Sequence, residues 1–224
     1  VAARTYGEIE QVAWHLRERG ARVWSLFCDV TDEGSVRALA ENARKNLGTI
    51  DILVNNAGVS ASATLTRITL GEWNRVMSVN ATGAFLCTRE IAPEMVARHW
   101  GRIINIASVA GLEGGKYIAH YGASKHALIG LTRAVAAELT GTGVTVNALC
   151  PGYVDTPMTE STLTNVESRT GLARDEALAA VLATTGQKRL ISPEEVAAAV
   201  LDLCREEAGD ITGQARVLSG RDAA

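Results

Sequence analysis

Helix-like and strand-like stretches alternate along this chain, and that alternation admits few architectures. From Tyr6 to about Arg19, Ile9, Val12, Ala13 and Leu16 recur at helical spacing, with Gly20 where a C-terminal cap belongs. A β-rich run over residues 22–28 carries Val23, Trp24 and Phe27. Thr31 is placed to cap a second helix that turns Val36, Leu39, Ala40 and Ala43 inward and stops at Gly48. Residues 50–54 are a short apolar run, as a strand covered on both faces requires. Thr69 and Glu72 spell a capping box for a long helical stretch, bent or broken near Pro93. A strand over 102–107, a helix from 121 to about 139 and a strand over 144–149 follow. Ser192, Pro193 and Glu195 supply the N-cap, first-turn proline and N3 acid of another helix, and residues 214–218 close with a strand. The pattern predicts one α/β domain over residues 1–224, with a mostly parallel sheet between two helical layers.

Composition narrows the function. A formal net charge of -3 argues against a nucleic-acid binder, which would carry a basic face, and no apolar run approaches the ~20 residues of a membrane span. No basic-then-apolar leader is visible. Cys28, Cys87, Cys150 and Cys204 never form a C-x-x-C pair, so reduced thiols in a cytoplasm are expected rather than a disulfide or zinc framework. His15, His99, His120 and His126 show no ligand spacing, and no metal is expected. His120 precedes Tyr121 and is only a minor candidate for substrate contact.

The chemistry centres on Ser108, Tyr121 and Lys125, with Asn80 upstream. Tyr121 and Lys125 stand at i and i+4 and share a helix face. A lysine ammonium beside a phenol favours phenolate and is expected to lower the Tyr121 pKa, making it a proton donor to a carbonyl under reduction. Ser108 closes an apolar strand at the carboxyl edge of the sheet, where it can donate to an oxygen gaining charge. A Tyr–Lys pair at this spacing also occurs by chance on solvated helices. Its neighbours decide. CDV at Cys28–Val30, NNAG at Asn55–Gly58, VN at Val79–Asn80, IAS at Ile106–Ser108, YGASK at Tyr121–Lys125 and VNALCPG at Val146–Gly152 follow one another in order.

With these motifs the chain resembles the short-chain dehydrogenase/reductase family, whose fold is a Rossmann-type doubly wound parallel sheet in three layers. The resemblance implies Tyr121 as general acid/base, Lys125 on the nicotinamide ribose, Ser108 orienting the substrate oxygen, and Asn80 holding a relay water. It implies that Asp29 and Val30 meet the adenine, that Asn55, Ala57 and Gly58 line the ribose and cofactor cleft, and that Pro151, Gly152, Val154 and Thr156 pack on the nicotinamide. Gly111, Gly114 and Gly115 read as a substrate-side loop. The family's first strand and glycine-rich phosphate turn have no counterpart here, so a natural chain longer by roughly 30 upstream residues is expected. The SGRDAA ending also departs from the family's usual close.

Ala3 stands where NAD-preferring members carry an acid, with Arg4 beside it, which points to NADP(H) and leaves NAD as an alternative. Between Tyr153 and Leu190, Met158, Leu163, Val166, Leu172, Leu178 and Leu182, with Arg169, Arg174, Lys188 and Arg189, predict an apolar, basic lid for an acyl-thioester or polyketide-type ketone. An NAD-dependent 3-hydroxyacyl-CoA dehydrogenase is the rival enzyme. A catalytically silent partner subunit is the rival of another class. A homotetramer or homodimer is expected.

Overall fold

The computed structural model describes residues 1–220; the last four residues of the SGRDAA ending lie outside them. The first half runs β1 (Ala2–Ala3), α1 (Tyr6–Glu18), β2 (Leu26–Phe27), α2 (Glu33–Leu47) and β3 (Ile52–Asn55). It continues through α3 (Leu70–Met77), a π-helical turn at Ser78–Thr82, α4 (Gly83–Ala97), β4 (Gly101–Ile106) and α5 (Ala119–Glu138). The chain then forms β5 (Val144–Pro151), α6 (Pro157–Thr170), α7 (Arg174–Ala183), α8 (Pro193–Cys204) and β6 (Ala215–Leu218). Every strand pairing is parallel, as helical crossovers require.

One sheet has the order β3-β4-β5-β6, and β1-β2 form a separate pair. The period of two along β4 sends Ile103 to one face and Ile104 to the other. Ile103 and Val146 pack with Ile91 and Met95 of α4 and Ala136 of α5. Ile104 and Leu149 pack with Ala199 and Leu203 of α8. With helices on both faces, all of β5 is buried. The three-layer parallel α/β architecture expected from the alternation is therefore present. No ladder joins β1 to β3, and Ile52 and Val54 of β3 stay 42% and 41% exposed.

Local expectations needed correction in four places. The run over 22–28 pairs only at Leu26–Phe27, because β1 presents just two residues in register. The cap of α2 is Asp32, whose carboxylate accepts from Ser35 N at 2.6 Å; the Thr31 hydroxyl instead donates to Asp29 at 2.7 Å. Thr69 caps α3 by accepting from Glu72 N at 3.1 Å, but the Glu72 carboxylate turns to Arg75, so the box is one-sided. Pro93 sits inside α4 without ending it, since buried Ile91, Ala92 and Met95 hold that stretch against the sheet. The interruption comes earlier, at the π-turn carrying Asn80. The Ser192 box is complete: Ser192 Oγ accepts from Glu195 N, and Glu195 accepts from Ser192 N.

Candidate active site

Ser108 leaves β4 and caps a short 3-10 turn at Val109–Gly111, its Oγ accepting from Ala110 N at 3.1 Å. The first turns of α5 face it. There the Ser108 hydroxyl lies against the Tyr121 phenol and favours its ionised form, but burial outweighs this and raises the phenol's pKa, as does the nearby Tyr153. The lowered phenol pKa expected from the Tyr–Lys spacing is thus corrected. Lys125 Nζ donates to the Ile106 carbonyl at 2.7 Å and lies 5.9 Å from the Tyr121 ring centroid, over the ring face. Burial also discourages the charge on Lys125, whose pKa falls to about 8.

Asn80 is 1% exposed. Its Oδ1 accepts from Val59 N at 2.8 Å, while Nδ2 donates to Val59 O and to Ser124 Oγ, both at 2.9 Å. Ser124 in turn donates to the Tyr121 carbonyl at 2.7 Å. Asn80 therefore ties the turn after β3 to the catalytic helix, with both amide hydrogens used. Gly58 lies on the same spot: a Cβ there would stand 3.5 Å from Asn80 Oδ1 and 3.6 Å from Lys125 Nζ. Ser124 was not singled out in the sequence, although its place three residues after Tyr121 could have marked it.

Asn55 departs from the expected cleft-lining role. Its amide nitrogen donates inward, to Asn105 Oδ1 at 2.8 Å and Thr88 Oγ1 at 3.2 Å, because a buried amide must find partners where it lies. Ala57 is exposed beyond it. Arg4, Asp29 and Val30 gather at the carboxyl ends of β1 and β2, where Arg4 Nη1 lies 3.9 Å from Asp29 Oδ2 and its side chain is 62% exposed. Asp29 accepts from Thr31 N and Oγ1, which lowers its pKa. Val30 packs against Gly83 so closely that a Cβ there would overlap it. Past β5, Gly152 N donates to Leu218 O at 3.0 Å, Val154 bridges to Ile191, and Thr156 donates to Val154 O at 3.3 Å.

His120 is fully buried with both ring nitrogens unpartnered, and faces no substrate opening. The apolar lid is also corrected. Leu163, Ala177 and Val181 form a small core of their own with Tyr153, Val166 and Leu178, because two short helices must bury their apolar faces on each other. Met158 and Leu172 remain exposed. Arg174 pairs with Glu160 and Glu167, and Arg189 with Glu195, so these charges are already matched.

These residues sit at the carboxyl edge of a parallel sheet, where open α/β folds bind ligands. The donors suit a dinucleotide: a desolvated ammonium with one carbonyl partner, an exposed guanidinium at the far strand ends, and a glycine against the ammonium. The family model for short chain dehydrogenases matches residues 1–167. The chain belongs to the short-chain dehydrogenase family. This membership makes it an oxidoreductase acting on CH–OH groups. A ketoacyl reductase named for the granaticin polyketide synthase of Streptomyces violaceoruber is 38% identical over 222 residues, covering 98% of this chain and 82% of its own length. The 3-oxoacyl-[acyl-carrier-protein] reductase FabG of Salmonella typhimurium is 35% identical, covering 90% of this chain and 78% of its own. Among solved structures, a variant of actinorhodin polyketide ketoreductase with NADPH superposes with a TM-score of 0.93 at 36% identity. That match covers 98% of this short-chain dehydrogenase and 85% of the other chain.

Proposed function

We propose that this enzyme reduces a ketone of the 3-oxoacyl-thioester or polyketide type to a secondary alcohol, with NADPH as cofactor and Tyr121 as the proton donor. The observation that carries the reading is the half-buried Tyr121 phenol set between the Ser108 hydroxyl and Lys125, whose Nζ lies 5.9 Å from the ring centroid. The phenol carries its proton at neutral pH and can give it to an oxygen gaining negative charge; burial by itself works against that transfer, and a cation beside the phenolate works for it. Ser108 orients that oxygen. Lys125, as ammonium, steadies the phenolate left behind and meets the ribose hydroxyls with its remaining N–H groups. Asn80, bonded to Val59 and Ser124, fixes the turn beside Lys125, and its relay-water role belongs to the same reading. When bound, the nicotinamide supplies the hydride that becomes the new carbinol C–H.

Arg4 supports NADPH over NADH, because an exposed guanidinium at the end of β1 can pair with a 2′-phosphate. The relatives' names support the substrate class, since they are ketoacyl, 3-oxoacyl and polyketide reductases. On this reading the pyrophosphate is met by a glycine-rich turn on a further parallel strand between β1 and β3, where Ile52 and Val54 stand exposed. No helix among the described residues is long and apolar enough to cross a membrane. A cytoplasmic location is supported by four cysteines without disulfides, and a homo-oligomer by exposed Leu70, Trp73 and Phe85 on α3 and α4.

The test is acetoacetyl-CoA reduction followed by NADPH absorbance. Tyr121→Phe is expected to lower kcat by at least ~10²-fold, as loss of a general acid does. Near-normal turnover in that variant would remove Tyr121 from the role. Absence of NADPH binding by the wild-type chain would favour a silent scaffold.

A further inference from the structure

Gln187 lies in the segment between α7 and α8 and is 7% exposed. Its carboxamide uses its full hydrogen-bonding capacity. Oε1 accepts from Tyr153 N and from Thr185 Oγ1, both at 2.7 Å. Nε2 donates to Tyr153 O at 3.1 Å and to Arg189 O at 3.2 Å. The side chain thus exchanges both bonds with one residue's peptide groups, as a neighbouring strand would in a ladder. The backbone continues the pairing: Ile191 N donates to Tyr153 O at 3.0 Å and Asp155 N to Ile191 O at 2.9 Å. The fit leaves no spare room, because a Cβ at Gly152 would overlap the carboxamide.

What is held this way matters to the reaction. Residues 152–156 continue from the end of β5, beyond its pairing with β4, and Cys150 of that strand meets Ser108. Tyr153 is also one of the groups that acts electrostatically on Tyr121. We infer that Gln187 is a positioning residue of the active site: its carboxamide stands in for a strand and fixes the Tyr153 backbone, and with it the nicotinamide-facing segment, relative to Tyr121. The nicotinamide part rests on the NADPH reading above; the Tyr153–Tyr121 part does not.

The experiment uses the full chain as wild type, Gln187→Ala and Gln187→Glu, the last keeping shape and acceptors but losing both donors. With NADPH and acetoacetyl-CoA, both variants should lose about tenfold or more in kcat/KM for NADPH. Their affinity for 2′-phospho-ADP-ribose, which lacks the nicotinamide, should stay unchanged. Gly152→Ala should impair the wild type but add little in the Gln187→Ala background, where the overlap is gone. A lower Tm with unchanged kinetics would mean that Gln187 only stabilises the fold, and would overturn the inference. A cofactor-free readout separates the two readings. The chain has 4 tyrosines, so 13Cζ-tyrosine NMR resolves each phenol, with Tyr121 assigned through Tyr121→Phe. The Tyr121 titration should shift in Gln187→Ala. If it shifts while the wild type ignores NADPH, positioning stands and the reductase reading falls; no shift overturns the positioning itself.

Discussion

Burial acts in opposite directions on the two ionisable groups at the start of α5. It raises the pKa of Tyr121, which holds its proton, and lowers that of Lys125 to about 8, which therefore gives its proton up more readily. Reduction needs the phenol protonated and the lysine charged, and both conditions hold at neutral pH. As pH rises through about 8, Lys125 becomes neutral first and the phenolate loses its counter-charge. The kcat/KM for ketone reduction should therefore fall along an alkaline limb with a midpoint near 8; a kcat/KM profile flat to well above that value would contradict the account. The same shift affects stability. The unfolded lysine binds its proton up to its ordinary value of 10.5, whereas the folded one releases it near 8. Between those values the unfolded chain holds more protons, so this group's contribution to stability rises with pH across that window and is smallest below it.

The π-turn at Ser78–Thr82 is the element that makes Asn80 useful. One extra residue in the turn changes the direction of every side chain after it, and such turns concentrate at functional sites. Asn80 here reaches both Val59 and Ser124, joining the turn after β3 to α5 across the mouth of the site. Asn80→Ala should leave the half-buried Val59 N–H and C=O without their partner, at up to about 1 kcal/mol each, and should lower both the urea midpoint and kcat. Ser192→Ala, which removes the cap of α8, should cost about 1 kcal/mol and lower kcat less than Asn80→Ala does. Equal effects of the two substitutions on kcat would show that Asn80 acts only through stability. Elsewhere the length of an element is set by its partner. The β-rich run over residues 22–28 pairs at two positions because β1 has two, whereas all of β5 is buried between neighbours and helices on both faces.

Across the whole molecule, parallel strands bring residues from distant parts of the chain to one edge, with Arg4 at one end and the Ser108–Tyr121–Lys125 group further along. A ligand spanning that edge binds only the folded form. NADPH at roughly 100 times its dissociation constant should therefore stabilise the chain by about 2.7 kcal/mol, visible as a rise in Tm. Arg4→Ala, which loses a charge-assisted pair of about 1.5–3 kcal/mol, should remove half or more of the NADPH shift and leave the NADH shift nearly untouched. A larger shift with NADH than with NADPH in the wild type would reverse the cofactor assignment. Much of this arrangement was legible in the sequence, for a physical reason. Helix and strand periodicity, Tyr–Lys helical spacing, the Ser192 box and small residues at turns are local, and each leaves its mark within a few positions. Alternation then restricts the connections to parallel crossovers. The tertiary structure decided what depends on surroundings: the direction of the Tyr121 shift, because burial outweighs the Ser108 hydrogen bond; the inward turn of Asn55, because a buried amide bonds what it meets; and the lid's own small core. It also decided Gln187, whose partner lies 34 residues away and leaves no mark on the local sequence. Dielectric surroundings and long-range partners exist only once the chain has closed on itself.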